Sequence, residues 1–187
     1  YAALDLGSNS FHLLVGRLQG DKIETVDRVK DTVRLAAGLQ PDRSLSEEAK
    51  TRALESLARF AQRIGGIPPK QVRVVATNTF RVASESGKFR KQAEAALGAP
   101  IEIISGQEEA RLIFLGVAKD FAPDRQKRLV VDIGGGSTEL IIGKREPQLL
   151  ESLHMGCVTW TQRYFHKGMD ASRYKKAVIN AKSVLQP

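Results

Sequence analysis

One pattern occurs twice in this chain and constrains its fold more than any other feature. A short apolar strand ends in an aspartate, a loop of small residues follows, and two further strands come after it. The first copy contains Asp5 and the second contains Asp132. Between the copies, segments with helical spacing of apolar residues alternate with β-branched runs. Because such alternation is typical of sheets layered with helices, the sequence predicts an α/β fold with two similar halves.

Hydrophobic spacing and cap residues predict the individual elements. Ser46, followed by two acids, marks the start of a helix as its N-cap, and Gly65 marks its end. Strands are predicted at 3–6, 11–18, 23–29, 72–76, 101–104, 129–133, 138–142 and 149–153. Helices are predicted at 47–64, 86–97, 106–117, 157–165 and 171–185. The polar segment 119–127 is predicted to be a linker, so the predicted domains are 1–122 and 123–187.

Charge and composition limit the class of protein without choosing one. Lys and Arg number 29 against 21 Asp and Glu, a formal net charge of +8 that favours an acidic partner such as nucleic acid, a membrane surface or a polyphosphorylated ligand. The basic residues form no tract, so charge alone does not decide. The single cysteine, Cys157, excludes an intrachain disulfide and is predicted to be a small packing residue. No apolar run approaches the ~20 residues of a membrane helix, which favours a cytoplasmic protein.

The first loop has the composition of a phosphate-binding turn. It consists of Gly7, Ser8, Asn9 and Ser10. Glycine permits close backbone approach, and the serine and asparagine side chains can surround phosphate oxygens together with the backbone N–H groups. Asp5 stands at the preceding strand end, where it can hold a hydrated cation. Alone, the same residues also fit an ordinary hairpin turn.

The second loop is richer in glycine. It consists of Gly134, Gly135, Gly136, Ser137 and Thr138. Three consecutive residues without side chains allow successive N–H groups to face an anion. Asp132 before the loop and Glu139 on the returning strand can hold a divalent metal that neutralises the anion. No Gly-Lys-Ser/Thr follows, which excludes a Walker A loop, although a flexible glycine hairpin stays open.

Two acids, Glu108 and Glu109, stand at the predicted start of a helix. A carboxylate at this position can orient or deprotonate an attacking water. The alternative is that the acids only favour the helix start through its dipole.

Arg81 follows the predicted strand 72–76 within the string TNTFR. Its planar guanidinium can hold a phosphate group with two parallel hydrogen bonds. A surface ion pair is an equally good interpretation of an isolated arginine.

Taken in order, the strings DLGSNSFHLLV, ATNTFR, ISGQEEARLIFLGV, VVDIGGGSTELIIG and HMGCVTWTQRYF resemble the exopolyphosphatase / guanosine pentaphosphate phosphohydrolase family. The resemblance covers essentially the whole chain. It implies the fold of the actin-like ATPase superfamily, with two RNase H-like lobes around a cleft. Family members are much longer, so the resemblance also implies that the second lobe is incomplete here, which would leave apolar surface uncovered and favour a homodimer.

The resemblance assigns roles residue by residue. It makes Glu109 the water-activating base, and Asp5, Asp132 and Glu139 the ligands of Mg²⁺ or Mn²⁺. It assigns phosphate binding to both loops and to Arg81.

The implied activity is that of an exopolyphosphatase, which hydrolyses the terminal phosphoanhydride of inorganic polyphosphate and releases orthophosphate. A pppGpp 5′-phosphohydrolase giving ppGpp and a non-catalytic polyphosphate-binding fragment stay open. A kinase or ATPase of the superfamily would need an adenosine pocket that the sequence does not show. Nucleic acid and membranes are not expected as partners.

Overall fold

The structure is a computed structural model that describes residues 1–20, 22–119 and 126–186. It divides into two compact units, Tyr1–Ile104 and Ser105–Pro187. The division falls earlier in the chain than the domain boundary predicted between residues 122 and 123. The predicted linker, 119–127, lies largely outside the described residues.

The first unit is built on a five-stranded sheet. Its strands are β1 (Ala2–Leu6), β2 (Phe11–Gln19), β3 (Lys22–Asp31), β4 (Val72–Ala76) and β5 (Glu102–Ile103). Their order is β3-β2-β1-β4-β5. The pairs β3–β2 and β2–β1 are antiparallel, whereas β1–β4 and β4–β5 are parallel. The carboxyl ends of β1 and β4 therefore lie side by side, where ligands commonly bind in α/β sheets.

The described residues of the first unit also form three α-helices: α1 (Glu47–Ile64), α2 (Asn78–Val82) and α3 (Ser86–Leu97). Ser46 caps α1 as predicted, because its side chain accepts a hydrogen bond from the backbone N–H of Ala49 at 3.3 Å. The short helix α2 was not predicted from the sequence. It begins directly after β4 and so fixes the residues that follow that strand.

The core of the first unit lies between one face of the sheet and the helices α1 and α3. Ala2, Leu4 and Leu6 alternate with exposed residues along β1, so β1 presents one apolar face. Leu57 and Phe60 of α1 are at most 1% exposed in this core. Burial of each large apolar side chain stabilises the unit by roughly 1.5–3 kcal/mol.

The second unit has a three-stranded antiparallel sheet. Its elements are α4 (Gly106–Lys119), β6 (Arg128–Ile133), β7 (Thr138–Gly143), β8 (Pro147–Leu153), α5 (Cys157–Tyr164) and α6 (Ala171–Leu185). The sheet order is β6-β7-β8. Helix α4 packs on β7 and β8, which explains why it belongs to this unit. Ala110 and Phe114 of α4 and Ile141 of β7 are buried together in a small core.

Strand β6 forms an edge of this sheet and carries apolar residues that are not covered. Leu129, Val131 and Ile133 alternate along the strand and are 62%, 49% and 67% exposed. The sequence-based expectation of uncovered apolar surface therefore matches this strand. Whether it pairs two copies as a homodimer stays a prediction.

The structure bears on two further predictions from composition, the packing of Cys157 and the lack of a membrane helix. Cys157 is exposed at the start of α5, so its prediction as a packing residue is wrong. The surrounding sequence is apolar, but the N-terminal turn of a short surface helix leaves the thiol accessible. Among the described helices, none combines the length and apolar character needed to cross a membrane.

Candidate active site

The first loop connects β1 to β2 in a turn that has no room for a side chain at Gly7. A Cβ atom there would lie 2.8 Å from the carbonyl oxygen of Ser10. Contacts this short do not occur, so the close approach requires glycine. Ser8 and Ser10 are 5% and 7% exposed, and Asn9 is half-buried. The loop predicted to bind phosphate is therefore compact, with two of its hydroxyl groups held within the fold.

Hydrogen bonds tie this loop to two other segments. The Thr79 hydroxyl in α2 donates to the Ser8 hydroxyl at 2.8 Å, and the bond is buried. The backbone N–H groups of Arg34 and Ala36 donate to the carbonyl oxygens of Asn9 and Ser8, at 2.8 and 2.9 Å. The loop is thus held on one side by the segment after β4 and on the other by the segment after β3.

Helix α2 carries Arg81 and a buried amide. The Arg81 guanidinium is half-buried and donates to the carbonyl oxygen of Ile104 at 2.9 Å. The side-chain oxygen of Asn78, a residue 5% exposed, has no hydrogen-bond partner among the described residues. A buried acceptor without a donor is costly, so a water or a hydrated cation suits this position.

Asp5 lies on the sheet face opposite to the core of the first unit. It is exposed and stands in register with His12 on β2 and Val75 on β4. Burial, reinforced by the positive charges of Lys30 and Arg28, keeps the pKa of His12 below its ordinary value. His12 is therefore neutral at pH 7, and the positive charge of this face comes from the lysine and arginine.

The second loop repeats the geometry of the first. The N–H of Gly134 donates to the carbonyl oxygen of Ser137 at 2.9 Å, and a Cβ on Gly134 would lie 3.1 Å from that oxygen. In both loops, the glycine two residues after the aspartate faces the carbonyl three residues further on. Gly135, Gly136, Ser137 and Thr138 are all buried. The doubled pattern in the sequence therefore corresponds to a doubled backbone turn.

Helix α5 supports the second loop, a contact that the sequence analysis missed. The N–H groups of Cys157 and Val158 donate to the carbonyl oxygens of Gly134 and Gly135, both at 2.9 Å. Gly156 packs directly on the loop backbone. The Thr138 hydroxyl donates to the carbonyl oxygen of Met155. Because these helix N–H groups bind the loop carbonyls, they orient the peptide groups of the triple glycine.

We expect Gly156→Ala to destabilise the second unit by about 1–3 kcal/mol, the usual cost of overpacking. The new Cβ would lie 2.4 Å from backbone atoms of Gly135 and Gly136, so the loop must move. Urea unfolding followed by the fluorescence of Trp160, the single tryptophan, measures the effect in this unit.

Gly116→Ala is the matched control, because Gly116 lies within α4 and its Cβ would meet nothing within 4 Å. It should raise stability by roughly 0.5–1 kcal/mol through helix propensity. Wild-type stability for Gly156→Ala would show that the loop is not held by this contact.

Asp132 and Glu139 stand directly opposite each other in the β6–β7 pair. Asp132 is exposed, whereas Glu139 is 1% exposed and accepts a hydrogen bond from the Ser152 hydroxyl at 2.8 Å. Among the described residues, no group of three or more His, Cys, Asp or Glu side chains could enclose a metal ion. The pair supplies two hard oxygen donors, which fits Mg²⁺ because that ion takes one or two carboxylates together with phosphate and water.

The two acids of α4 differ in their surroundings. The Nε and Nη2 groups of Arg111 donate to the two oxygens of the Glu108 carboxylate, at 2.7 and 2.8 Å. Hydrogen bonding to Glu108, followed by its negative charge, raises the pKa of Arg111. Glu109 lies half-buried in the same first turn, with its N–H donating to the carbonyl oxygen of Ser105.

Known proteins resemble this chain over nearly its whole length. A model of the Ppx/GppA phosphatase family matches residues 14–186. The crystal structure of an exopolyphosphatase-like protein superposes with a TM-score of 0.90 and 32% identity, covering 98% of this chain and 59% of that one. An exopolyphosphatase from Cytophaga hutchinsonii superposes with a TM-score of 0.92 and 29% identity, covering 100% of this chain and 60% of that one. The PPX-GPPA enzyme of Aquifex aeolicus superposes with a TM-score of 0.78 and 26% identity, covering 98% of this chain and 62% of that one.

These matches confirm the α/β, actin-like fold class and the resemblance found in the motifs. A chain of the PilM–PilN type IV pilus biogenesis complex superposes at a TM-score of 0.58 with 13% identity, which shows the fold alone. The chain belongs to the Ppx/GppA phosphatase family. It spans about 60% of the length of the three structures above.

Proposed function

We propose that this chain carries phosphate-binding and water-activating residues of an exopolyphosphatase, which removes the terminal phosphate of inorganic polyphosphate as orthophosphate. The observation that carries this proposal is the repeated turn. Asp5 and Asp132 each precede a loop in which a glycine faces the carbonyl three residues on. Loops of this kind present backbone N–H groups to phosphate oxygens.

Each loop has its own part in the proposed reaction. Both loops bind phosphate oxygens, the first through Gly7, Ser8, Asn9 and Ser10 and the second through residues 134–138. Arg81 adds a positive charge, and its bond to Ile104 restricts the orientation of its guanidinium. Such fixed donors stabilise charge that develops during phosphoryl transfer and need no reorganisation.

Glu109 is the proposed base that positions the attacking water. Glu109 is half-buried at the start of α4, and a carboxylate at such a position can orient or deprotonate an attacking water. Glu109 stands in the first turn of α4, where Ser105 caps the helix through its bond to the Glu108 N–H. The base is therefore placed on a rigid element.

Asp132 and Glu139 are the proposed ligands of Mg²⁺ or Mn²⁺ at the second loop, and Asp5 is the proposed cation ligand at the first loop. A divalent cation supplies charge neutralisation for the terminal phosphoryl group. The Ser152 hydroxyl fixes one Glu139 oxygen and so orients this carboxylate toward a defined direction.

Asp132→Ala should raise the Mn²⁺ concentration needed for half-saturation by about tenfold or more, since it removes one of few carboxylate ligands. Electron paramagnetic resonance of free and bound Mn²⁺ measures this directly. Glu151→Ala is the control, because Glu151 is an exposed acid of the same sheet whose register partner is Leu140. Equal Mn²⁺ binding in wild type and Asp132→Ala would contradict the metal proposal.

Phosphate release from polyphosphate, pppGpp and ATP tests the proposed function and its alternatives. Release from polyphosphate as the preferred substrate supports an exopolyphosphatase. Preference for pppGpp would assign the second candidate activity, which the Ppx/GppA family description favours equally. Binding of polyphosphate without release of phosphate would assign a non-catalytic role, and cleavage of ATP alone would overturn both hydrolase proposals.

A further inference from the structure

Arg34 has a backbone conformation that an arginine rarely adopts. Its φ and ψ are 53° and 47°, in the left-handed region. Only two residues other than glycine among those described have a positive φ, Arg34 and Arg43. Glycine, asparagine and aspartate adopt this region at the lowest cost, so an arginine there points to a requirement for its side chain.

The backbone of Arg34 is bonded directly to the first loop. Its N–H donates to the carbonyl oxygen of Asn9 at 2.8 Å, and two residues on, the N–H of Ala36 donates to the carbonyl oxygen of Ser8 at 2.9 Å. Val33, Leu35 and Ala36 are at most 2% exposed, whereas Arg34 is exposed. The long cationic side chain therefore starts next to the loop and stays in solvent.

The first loop carries no positive charge of its own to offset a bound phosphate. Residues 7–10 are neutral and Asp5 precedes them, so a bound phosphate would meet no positive charge from the loop itself. Among the described residues, the Arg34 guanidinium takes part in no hydrogen bond or ion pair, whereas Arg81 donates to Ile104. An arginine in this state can bind phosphate oxygens without breaking an existing contact.

We propose that Arg34 is a substrate-binding residue, whose guanidinium contacts phosphate oxygens of the chain held at the first loop. This inference rests on the proposed function for its substrate and adds a residue that the motifs did not indicate. The left-handed turn fixes where the side chain leaves the backbone, and the backbone hydrogen bonds to Asn9 and Ser8 hold that point next to the first loop.

Replacement of Arg34 by glycine separates this role from a structural one. Glycine adopts the left-handed region without a Cβ penalty, so Arg34→Gly should keep or raise the thermal midpoint. A charge-assisted hydrogen bond to a phosphate corresponds to about 10- to 100-fold in affinity. We therefore expect a loss of this size in the binding of inorganic tripolyphosphate, measured by isothermal titration calorimetry with Mg²⁺ in excess. The tripolyphosphate affinity of Arg34→Lys should lie between those of wild type and Arg34→Gly, because lysine keeps the charge but lacks the planar guanidinium.

Arg43→Gly is the matched control. Arg43 is also exposed, with φ 65°, but its backbone oxygen binds the N–H of Ser84 rather than the first loop. It should gain the same thermal stability and bind tripolyphosphate within about twofold of wild type. Equal losses in both variants would show a general charge effect and overturn the proposal.

Phosphate release from tripolyphosphate and pppGpp, measured on the same proteins, separates this inference from the proposed function. Unchanged tripolyphosphate affinity in Arg34→Gly, or no binding by wild type, would overturn the role of Arg34. If wild type releases phosphate while Arg34→Gly binds and reacts normally, the proposed function stands and the inference falls. If wild type binds but releases nothing, and only Arg34→Gly loses binding, the binding role stands and the hydrolase proposal falls.

Discussion

Replacement of Glu109 by glutamine should lower the rate of phosphate release by about 10²–10⁴-fold, the range that a general base contributes. Glutamine keeps the shape of the side chain and one acceptor oxygen, but it cannot take up a proton at pH 7. The helix start should persist, because Ser105 caps it through Glu108 and not through the Glu109 side chain. The affinity for tripolyphosphate should therefore stay near that of wild type. Rate and affinity are measured on the same preparation, by a phosphate-release assay and by calorimetry.

Glu108→Gln is the matched control for this prediction. It removes one charge from the same helical turn and breaks the ion pair with Arg111, which is partly exposed and contributes only about 0–1 kcal/mol. Turnover should therefore stay close to wild type. A large loss in Glu108→Gln together with near-normal turnover in Glu109→Gln would reassign the base to Glu108.

Replacement of Phe114 by alanine should destabilise the second unit by about 3–5 kcal/mol. Phe114 is 1% exposed and is the largest member of a core in which, over the described part of the chain, the other buried residues are Ala110 and Ile141. Its ring fills the space beside Gly143, where a Cβ would lie 2.6 Å from it. Because a whole domain is stable by only about 5–15 kcal/mol, this loss should leave the second unit largely unfolded in mild urea.

The transition is followed by the fluorescence of Trp160, which lies in α5 of the same unit. Leu115→Ala provides the comparison, because Leu115 is the next residue of α4, is half-buried and does not belong to the core cluster. The loss of unfolding free energy in Leu115→Ala should be clearly smaller than in Phe114→Ala. Similar urea midpoints for the two variants would show that Phe114 is not the centre of this core.

The sheet of the first unit and its long helix could be predicted because their signals are local. Alternating burial along β1 follows the alternation of residues in the sequence, and Gly20, with φ 58°, supplies the turn between β2 and β3. The cap at Ser46 set the start of α1 correctly. Helix α2 escaped prediction because five residues are too few for a helical period, and threonine and asparagine have low helix propensity.

The two loops of the candidate site could be predicted from the sequence, but the contacts that hold them in place could not. Asp-x-Gly is visible in the sequence at both loops, since the glycine is required by the approach of a carbonyl three residues away. The contact of Gly156 with Gly135 joins residues far apart in the sequence, and no local pattern encodes it. The sign of φ at Arg34 is equally invisible, because an arginine before an apolar run is ordinary in any surface turn. The string HMGCVTWTQRYF carried the signal for Gly156, although only the structure shows what that glycine does.

The most direct test of the central claim is to follow oxygen-18 from labelled water into the products of polyphosphate cleavage, with Mg²⁺ present, by phosphorus-31 NMR. If water positioned by Glu109 attacks the terminal phosphorus, the released orthophosphate carries one solvent oxygen and the shortened chain carries none. Label in the shortened chain would place the attack on the inner phosphorus, and the absence of labelled orthophosphate would contradict the proposed hydrolysis.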